Sequence, residues 1–458
     1  MMSTPAQILV SALVLVLSIL GCQSEDIQTT GIEMTTFEVD VTPPIGSPVA
    51  YAPTRSVTEP LLAKGIILRT AAKTIVLCAF DWIGIGNESQ DIIKQALAEA
   101  ADTEASLVSV HALHQHDGPR CDHSTASILE KYGVDQTYYD IAFLNQAIDR
   151  VAASLSNAMN SLEPVSHVGF GQAKVDSVAS NRRVLGADGK VEIVRYSKST
   201  NPAAIAAPEG VIDPYLKSVT FWNKDKAIAN LTYYATHPQS YYGEGDVTCE
   251  FVGIARNQRQ EETGVPHIHF TGAAGNVAAG KYNDGSVEMR PILASRIESA
   301  MKKSWNDMEK SPIEGKDIQW KAEDIVLPMA DYLQEDFLAD RITGKVEDKD
   351  LSPLSAAKHM AWLKRTNDGH ITTVSALKLG DIQLLNLPGE IFVEYQLAAE
   401  AFRPDQHICT AAYEDYGPGY IGTKISYGQG GYETSMRASR VNGEAEAVLM
   451  KAIEEVLK

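Results

Sequence analysis

The stretch His111-Ala112-Leu113-His114-Gln115-His116-Asp117-Gly118-Pro119 places three of the chain's 11 histidines within six positions. It follows residues 106–111, which read as a strand, and Gly118-Pro119 then turns the chain away. Side chains on an extended backbone alternate, so His114 and His116 fall on one face. Both can then approach one metal ion, or one can bind it while the other faces substrate. His111 falls on the opposite face if the strand runs that far. The plain alternative is three solvated loop histidines.

Strands and helices alternate on both sides of this stretch. Residues 34–41 read as a strand that breaks at Thr42-Pro43-Pro44-Ile45-Gly46. Residues 65–69 and 74–83 are rich in β-branched side chains and read as core strands. Helical spacing predicts helices over 91–101, 142–162, 288–306, 394–402 and 444–457. Residues 215–222 and 227–234 form a hairpin around Asn223-Lys224-Asp225, and 375–387 give two strands ending at Pro388-Gly389-Glu390. No repeat and no linker interrupts the pattern. The expected class is therefore α/β in the mixed α+β sense, with one large domain over 34–458.

Composition agrees. The chain has 458 residues, 44% hydrophobic and 22% charged, enough for a large core. Its net charge of -19 repels phosphate at long range, which argues against nucleic acid as a partner but leaves a basic cleft open. Residues 8–20 are almost wholly apolar and close at Ile19-Leu20-Gly21-Cys22, the pattern of an export signal. A cysteine after a small residue resembles a bacterial lipoprotein box, with a lipid on Cys22 holding the protein to a membrane. A cleaved secretion signal and a retained anchor are the alternatives. All three export the chain, to the periplasm or the outer membrane of a bacterium. Residues 1–22 are thus the signal and polar residues 23–33 a tether. Cys78, Cys121, Cys249 and Cys409 form no CxxC pair, so neither a zinc knuckle nor a dense disulfide framework is expected, and one disulfide stays open.

Three further motifs carry chemistry. Ala235-Thr236-His237-Pro238 puts a histidine at the end of a predicted strand, where a rigid sheet suits a ligand or catalytic group and equally a structural histidine. Pro388-Gly389-Glu390 presents a carboxylate as a zinc ligand or general base, or else as a helix N-terminal acid. Residues 270–282 are glycine-rich, either approaching a ligand through backbone N–H groups or packing as a tight loop under the site. They are no P-loop, since no Ser or Thr follows Lys281.

In this order the motifs resemble the neutral (non-lysosomal) ceramidase family over roughly residues 34–440. The family's His-x-His-Ser-Gly-Pro, Ala-x-His-Pro and Pro-Gly-Glu motifs match residues 114–119, 235–238 and 388–390. Its Asn-Arg element appears as Asn181-Arg182, and its tyrosine-rich segment as Tyr416-Gly417-Pro418-Gly419-Tyr420, followed by Tyr432. The opening Asp40-Val41-Thr42-Pro43-Pro44 and the segment ending at Asp81 also fit. The resemblance implies a Zn2+ ion held by His114, His237, Glu390 and Tyr420. It places His116 beside the metal as a proton carrier, and Arg182 and Tyr432 as donors to substrate oxygens. Departures are Asp117 in place of the family's Ser and Glu250 where Asp is common. The family's full-length members carry an immunoglobulin-like domain after the catalytic one, and a single catalytic domain without it is expected here.

The leading reading is a zinc-dependent hydrolase that cleaves an amide bond of a ceramide-like N-acyl substrate. A carbohydrate-acting metalloenzyme, a sugar deacetylase or uronate lyase, is the alternative, with Arg120, Arg182, Arg183 and Lys281 suited to an anionic sugar. A non-catalytic ligand-binding lipoprotein is the third. An apolar groove beside the metal favours lipids, and a polar cleft lined by aromatic rings favours sugars.

Overall fold

The computed structural model describes residues 31–134 and 137–458. The expected export signal, Cys22 and most of the expected tether lie outside the described residues. The first strand, Ile32–Asp40, starts inside the expected tether because Ile32 and Met34 are buried and the strand pairs along its length with Leu62–Thr70.

Among the described residues a mixed nine-stranded sheet runs in the order Ile318–Ile325, Thr372–Leu379, Ile382–Pro388, His407–Glu414, Val108–Ala112, Thr74–Phe80, Leu62–Thr70, Ile32–Asp40, Glu163–Pro164. A five-stranded sheet runs His267–Thr271, Lys226–Tyr234, Tyr215–Asn223, His167–Lys174, Glu309–Pro312. The expected hairpin is present, and Lys226–Tyr234 also pairs in parallel with His267–Thr271.

Side-chain alternation sorts the larger sheet's residues into two cores. Leu77 and Ala79 of strand Thr74–Phe80 face the smaller sheet, joining Leu231, Ile268 and Phe270. Val76, Cys78 and Phe80 face the opposite way, toward Phe143, Ile148 and Val151 of helix Ile141–Ala158. That helix starts at a true cap, Asp140, whose side chain accepts from the Phe143 N–H. Helices Glu250–Thr263 and Met289–Asn306 cover the smaller sheet. The result is a helix–sheet–sheet–helix stack, the α/β mixture expected.

Two features of the packing bear on the site. Asp81, just past strand Thr74–Phe80, meets Arg256 of helix Glu250–Thr263 in a fully buried bidentate pair, with N–O distances of 2.6 and 2.8 Å. Cys78, Cys121, Cys249 and Cys409 are all buried and free, so the open question of one disulfide closes as none among the described cysteines. No helix of the described residues is long and apolar enough to cross a membrane.

The smaller sheet also sets an acid limit. Burial, helped by Arg259, Lys64 and Arg256, lowers His267 to about 3, and burial with Arg256 lowers His269 to about 3. Their unfolded value is near 6.5, so between about pH 6.5 and 3 the unfolded chain binds protons that the native chain refuses. Stability is therefore retained above 6.5 and lost as pH falls, by about 2 kcal/mol per histidine at pH 5. Urea unfolding at pH 7 and pH 5 is expected to show this loss, and His269→Gln is expected to reduce the difference.

Candidate metal centre

The histidine stretch does not stay extended. Strand Val108–Ala112 ends before it, and His114 adopts φ 66°, the left-handed region. Strand alternation therefore does not align the two imidazoles, as the sequence had suggested. A tight loop does, and its pins are visible. Gln115 donates through Nε2 to the Asp81 carbonyl at 2.6 Å, and its Oε1 accepts from the Asp117 N–H at 2.7 Å. A Cβ at Gly118 would lie 2.3 Å from Gln115 Nε2 and 3.0 Å from the Asp81 carbonyl oxygen, so a larger residue there would displace Gln115. His111 is set apart. Its ring bonds to Ser109, Asn386 and the Ala412 carbonyl, which makes it a satisfied core histidine.

Glu390 is delivered by the other half of the larger sheet. Strand Ile382–Pro388 ends at Gly389, whose φ is 64° and whose added Cβ would lie 2.6 Å from the Gly419 carbonyl oxygen. The chain turns there and Glu390–Ile391 pairs in parallel with Tyr420–Ile421, Glu390 opposite Tyr420. This register explains why the two side chains share one site. Glu390 is no helix N-terminal acid, because the helix begins at Val393.

The donor atoms converge. His114 Nε2 lies 3.1 Å and His237 Nε2 3.2 Å from Glu390 Oε2. His116 Nε2 lies 3.3 Å from His114 Nε2, and the Tyr420 hydroxyl 3.3 Å from His237 Nε2. Tetrahedral coordination at about 2.0–2.1 Å sets ligand atoms roughly 3.3 Å apart, so these are the edges of such a site. His114, His116 and His237 form a buried group able to bind a metal. His114 and His237 thus belong to two overlapping donor sets, one completed by His116 and one by Glu390 and Tyr420.

Proton accounting points the same way. His114 Nδ1 donates to the Ile83 carbonyl at 2.6 Å and His237 Nδ1 to the Ala274 carbonyl at 2.7 Å. Carbonyl oxygens only accept, so in the neutral rings both Nε2 lone pairs face Glu390. Burial lowers His237 to about 4, and burial with His114 and His237 holds His116 well below the usual histidine range. Burial alone would raise the Glu390 carboxyl, and only positive charge placed at His114 and His237 holds it well below the usual range, a charge that neutral rings do not supply. Neutral imidazole lone pairs around a carboxylate oxygen repel unless a cation sits among them.

Supporting groups complete the centre. The Tyr416 hydroxyl donates to Glu390 Oε1 and fixes the second carboxylate oxygen. The Tyr51 hydroxyl lies 2.9 Å from His116 Nδ1, and Tyr413 stacks on His114 at 4.5 Å. Tyr51 and Tyr413 carried no signal in the sequence. Arg182 donates to the Tyr420 hydroxyl at 3.0 Å and lies beside Glu433. It is 4% exposed and sits behind Tyr420, so the expectation that it aims donors at substrate is revised: it acts on Tyr420. Tyr432 stands edge-on to Tyr420 at 5.7 Å and does line the cavity.

The two departures from the family pattern meet in one place. Asp117 Oδ2 and Glu250 Oε1 each lie 3.1 Å from Arg290 Nη2. Asp117 also accepts from the Gly243 N–H, and Glu250 from Ser240. This buried cluster ties the His116 loop to the segment after His237. The glycine-rich stretch proves to be the tight loop. Its Ala274 carbonyl orients His237, and a Cβ at Gly275 would fall 2.2 Å from the Glu390 carbonyl oxygen. Lys281 turns away to the Ile205 and Ala207 carbonyls, and Arg183 to Glu433 and Ser426, so neither faces substrate.

A cavity of about 700 Å³ opens onto His114, His116, Glu390 and Tyr420. Its other walls carry tyrosines and cationic side chains beside an apolar strip from Pro48, Val49, Pro53, Ile83 and Leu354.

The sequence matches no family model and no curated protein. Among solved structures, the neutral ceramidase from Pseudomonas aeruginosa superposes with a TM-score of 0.67 at 15% identity, covering 93% of this chain and 74% of that one. A ceramidase complexed with C2 gives 0.67 at 14% identity, covering 93% and 75%. The chain therefore has a ceramidase-like fold over nearly its whole length.

Proposed function

We propose that this protein is a zinc-dependent hydrolase that cleaves the amide bond of an N-acyl substrate. The observation that carries the reading is the convergence of His114 Nε2 and His237 Nε2 on one oxygen of Glu390, with both Nδ1 atoms taken by carbonyls. In this reading His114, His237, Glu390 and Tyr420 hold the ion. Zinc, when bound, acidifies water and polarises a carbonyl. Tyr416 and Arg182 keep Glu390 and Tyr420 in place. Tyr432, on the cavity wall, donates to the oxyanion that develops on the acyl oxygen, an effect worth about 3–4 kcal/mol for a well-placed donor. His116 takes up the proton at Nε2 and returns it to the leaving amine.

The test is metal analysis with a release assay on N-acyl lipids and N-acyl sugars. About one zinc per chain is expected. His116→Ala is expected to keep that zinc while activity falls roughly 10²–10⁴-fold. If His116→Ala instead releases the metal, His116 is a ligand and not the proton carrier. Full activity in metal-free protein would sink the whole reading.

The tyrosines and cations of the cavity support a second reading at the same centre, a carbohydrate-acting metalloenzyme, while its apolar strip suits an acyl group. Export and lipid attachment at Cys22 are part of the proposal and are tested by mass analysis of the membrane fraction.

A further inference from the structure

The cavity carries charge of the sign opposite to the protein's. The chain's net charge is -19, yet Arg120, Lys358, Arg437 and Arg440 line the cavity, and Glu390 is the only carboxylate among its described lining residues. None of the four forms an ion pair among the described residues, although Glu390 and Asp122 act on Lys358 through their charge. Arg120 lies over the Tyr51 ring at 5.5 Å, and its Nε is buried with no hydrogen-bond partner. Arg440 bonds only to neutral groups, His359 Nδ1 at 3.1 Å and the Gly417 carbonyl at 2.9 Å. Arg437, at the exposed rim, rests against Tyr432. Lys358 makes no hydrogen bond or ion pair with any described residue. Burial, then Arg120 and Arg440, push its ammonium well below the usual lysine range. Asp122 is one of the two acids whose charge acts on Lys358. It lies on a smaller adjoining cavity that Arg120 and Lys358 also line, and its oxygens are taken by Asn87 and Thr125.

Like charges gathered around one cavity repel one another, and an incoming anion relieves that repulsion. Ser352, Ser355 and Lys358 all line the cavity from the start of helix Pro353–Asn367, whose positive dipole end adds to the same field.

We infer that Arg120, Lys358 and Arg440 form an anion subsite beside the metal centre, and that the substrate carries a carboxylate or sulfate group on a hydroxylated ring. Arg437 guards its entrance. This rests on the metal-dependent reading for its chemistry but not for its binding. Arg120 and Arg440 offer guanidinium donors that match such oxyanions, and the hydroxyls of Tyr51 and Tyr138 on the same wall suit a polyhydroxylated ring.

The test uses the full chain, with glucuronate, glucose 6-sulfate and glucose as probes followed by calorimetry and thermal melting. At least one anionic sugar is expected to bind at least tenfold tighter than glucose and to raise the melting temperature. The tighter of the two names the anionic group. Lys358→Met is expected to weaken that binding at least tenfold. Its cooperative melting is read alongside, to show that the variant is folded. Arg120→Gln serves as an independent variant and is expected to weaken binding likewise. His237→Ala, which breaks the metal centre, is expected to retain the binding. If binding is lost in His237→Ala but kept in Lys358→Met and Arg120→Gln, the anion sits on the metal and the subsite is wrong, while the metal reading stands. If neither anionic sugar outbinds glucose, the subsite is wrong whatever the fate of the metal reading.

Discussion

His237→Ala is expected to lose the bound metal and to lower activity by about 10³-fold or more, the scale of removing a preorganised charge from the reacting centre. Three observations set this expectation. His237 is fully buried at the end of strand Lys226–Tyr234, so no neighbouring side chain can take its place. Its Nδ1 is fixed by the Ala274 carbonyl, which leaves Nε2 as the donor. It belongs to both overlapping donor sets, so the prediction holds whether His116 or Glu390 with Tyr420 completes the shell. Metal content by mass spectrometry and the release assay check it together. A variant that keeps its metal would remove His237 from the shell. Thermal melting checks that the fold survives, because Tyr413 and Tyr420 of the site belong to the larger hydrophobic core.

Arg256→Met is expected to destabilise the protein by about 3–5 kcal/mol, the cost of stranding a buried charge. Asp81 is fully buried and would keep only the Leu62 N–H on its carboxylate. Pairing the change with Asp81→Leu is expected to recover much of the loss, since an apolar pair tolerates burial where a single ion does not. Urea unfolding of the two single variants and the double variant gives the coupling directly. The effect also reaches the site. The Asp81 carbonyl holds Gln115, and Gln115 holds the loop that carries His114 and His116. Metal affinity is therefore expected to fall in Arg256→Met alongside stability, and to recover with it in the double variant.

The Asp81–Arg256 pair also shows where the sequence was hard to read. Helix Glu250–Thr263 buries Arg256 and Arg259, and these polar residues on its inner face hide the apolar period that announces a helix. Helix Pro353–Asn367 buries His359 in the same way and turns Lys358 toward the cavity. Most of the cationic wall was missed for that reason. Lys358, Arg437 and Arg440 have no local motif, and the arginines and lysine that did stand near motifs, Arg182, Arg183 and Lys281, are spent on Tyr420, Glu433 and backbone carbonyls.

The strands and the hairpin were legible because alternation and β-branched runs report local burial, and a strand's period does not depend on its partners. His114, His237 and Glu390 stood out because turn residues follow or precede them at strand ends, a short-range pattern. The amino-acid order alone thus determined the mixed α/β class and singled out His114, His237 and Glu390 as candidates. The meeting of those donors was decided only in three dimensions. It depends on the parallel register of Glu390 with Tyr420, the left-handed turn at His114 and the carbonyls of Ile83 and Ala274, all of which join residues far apart in the chain.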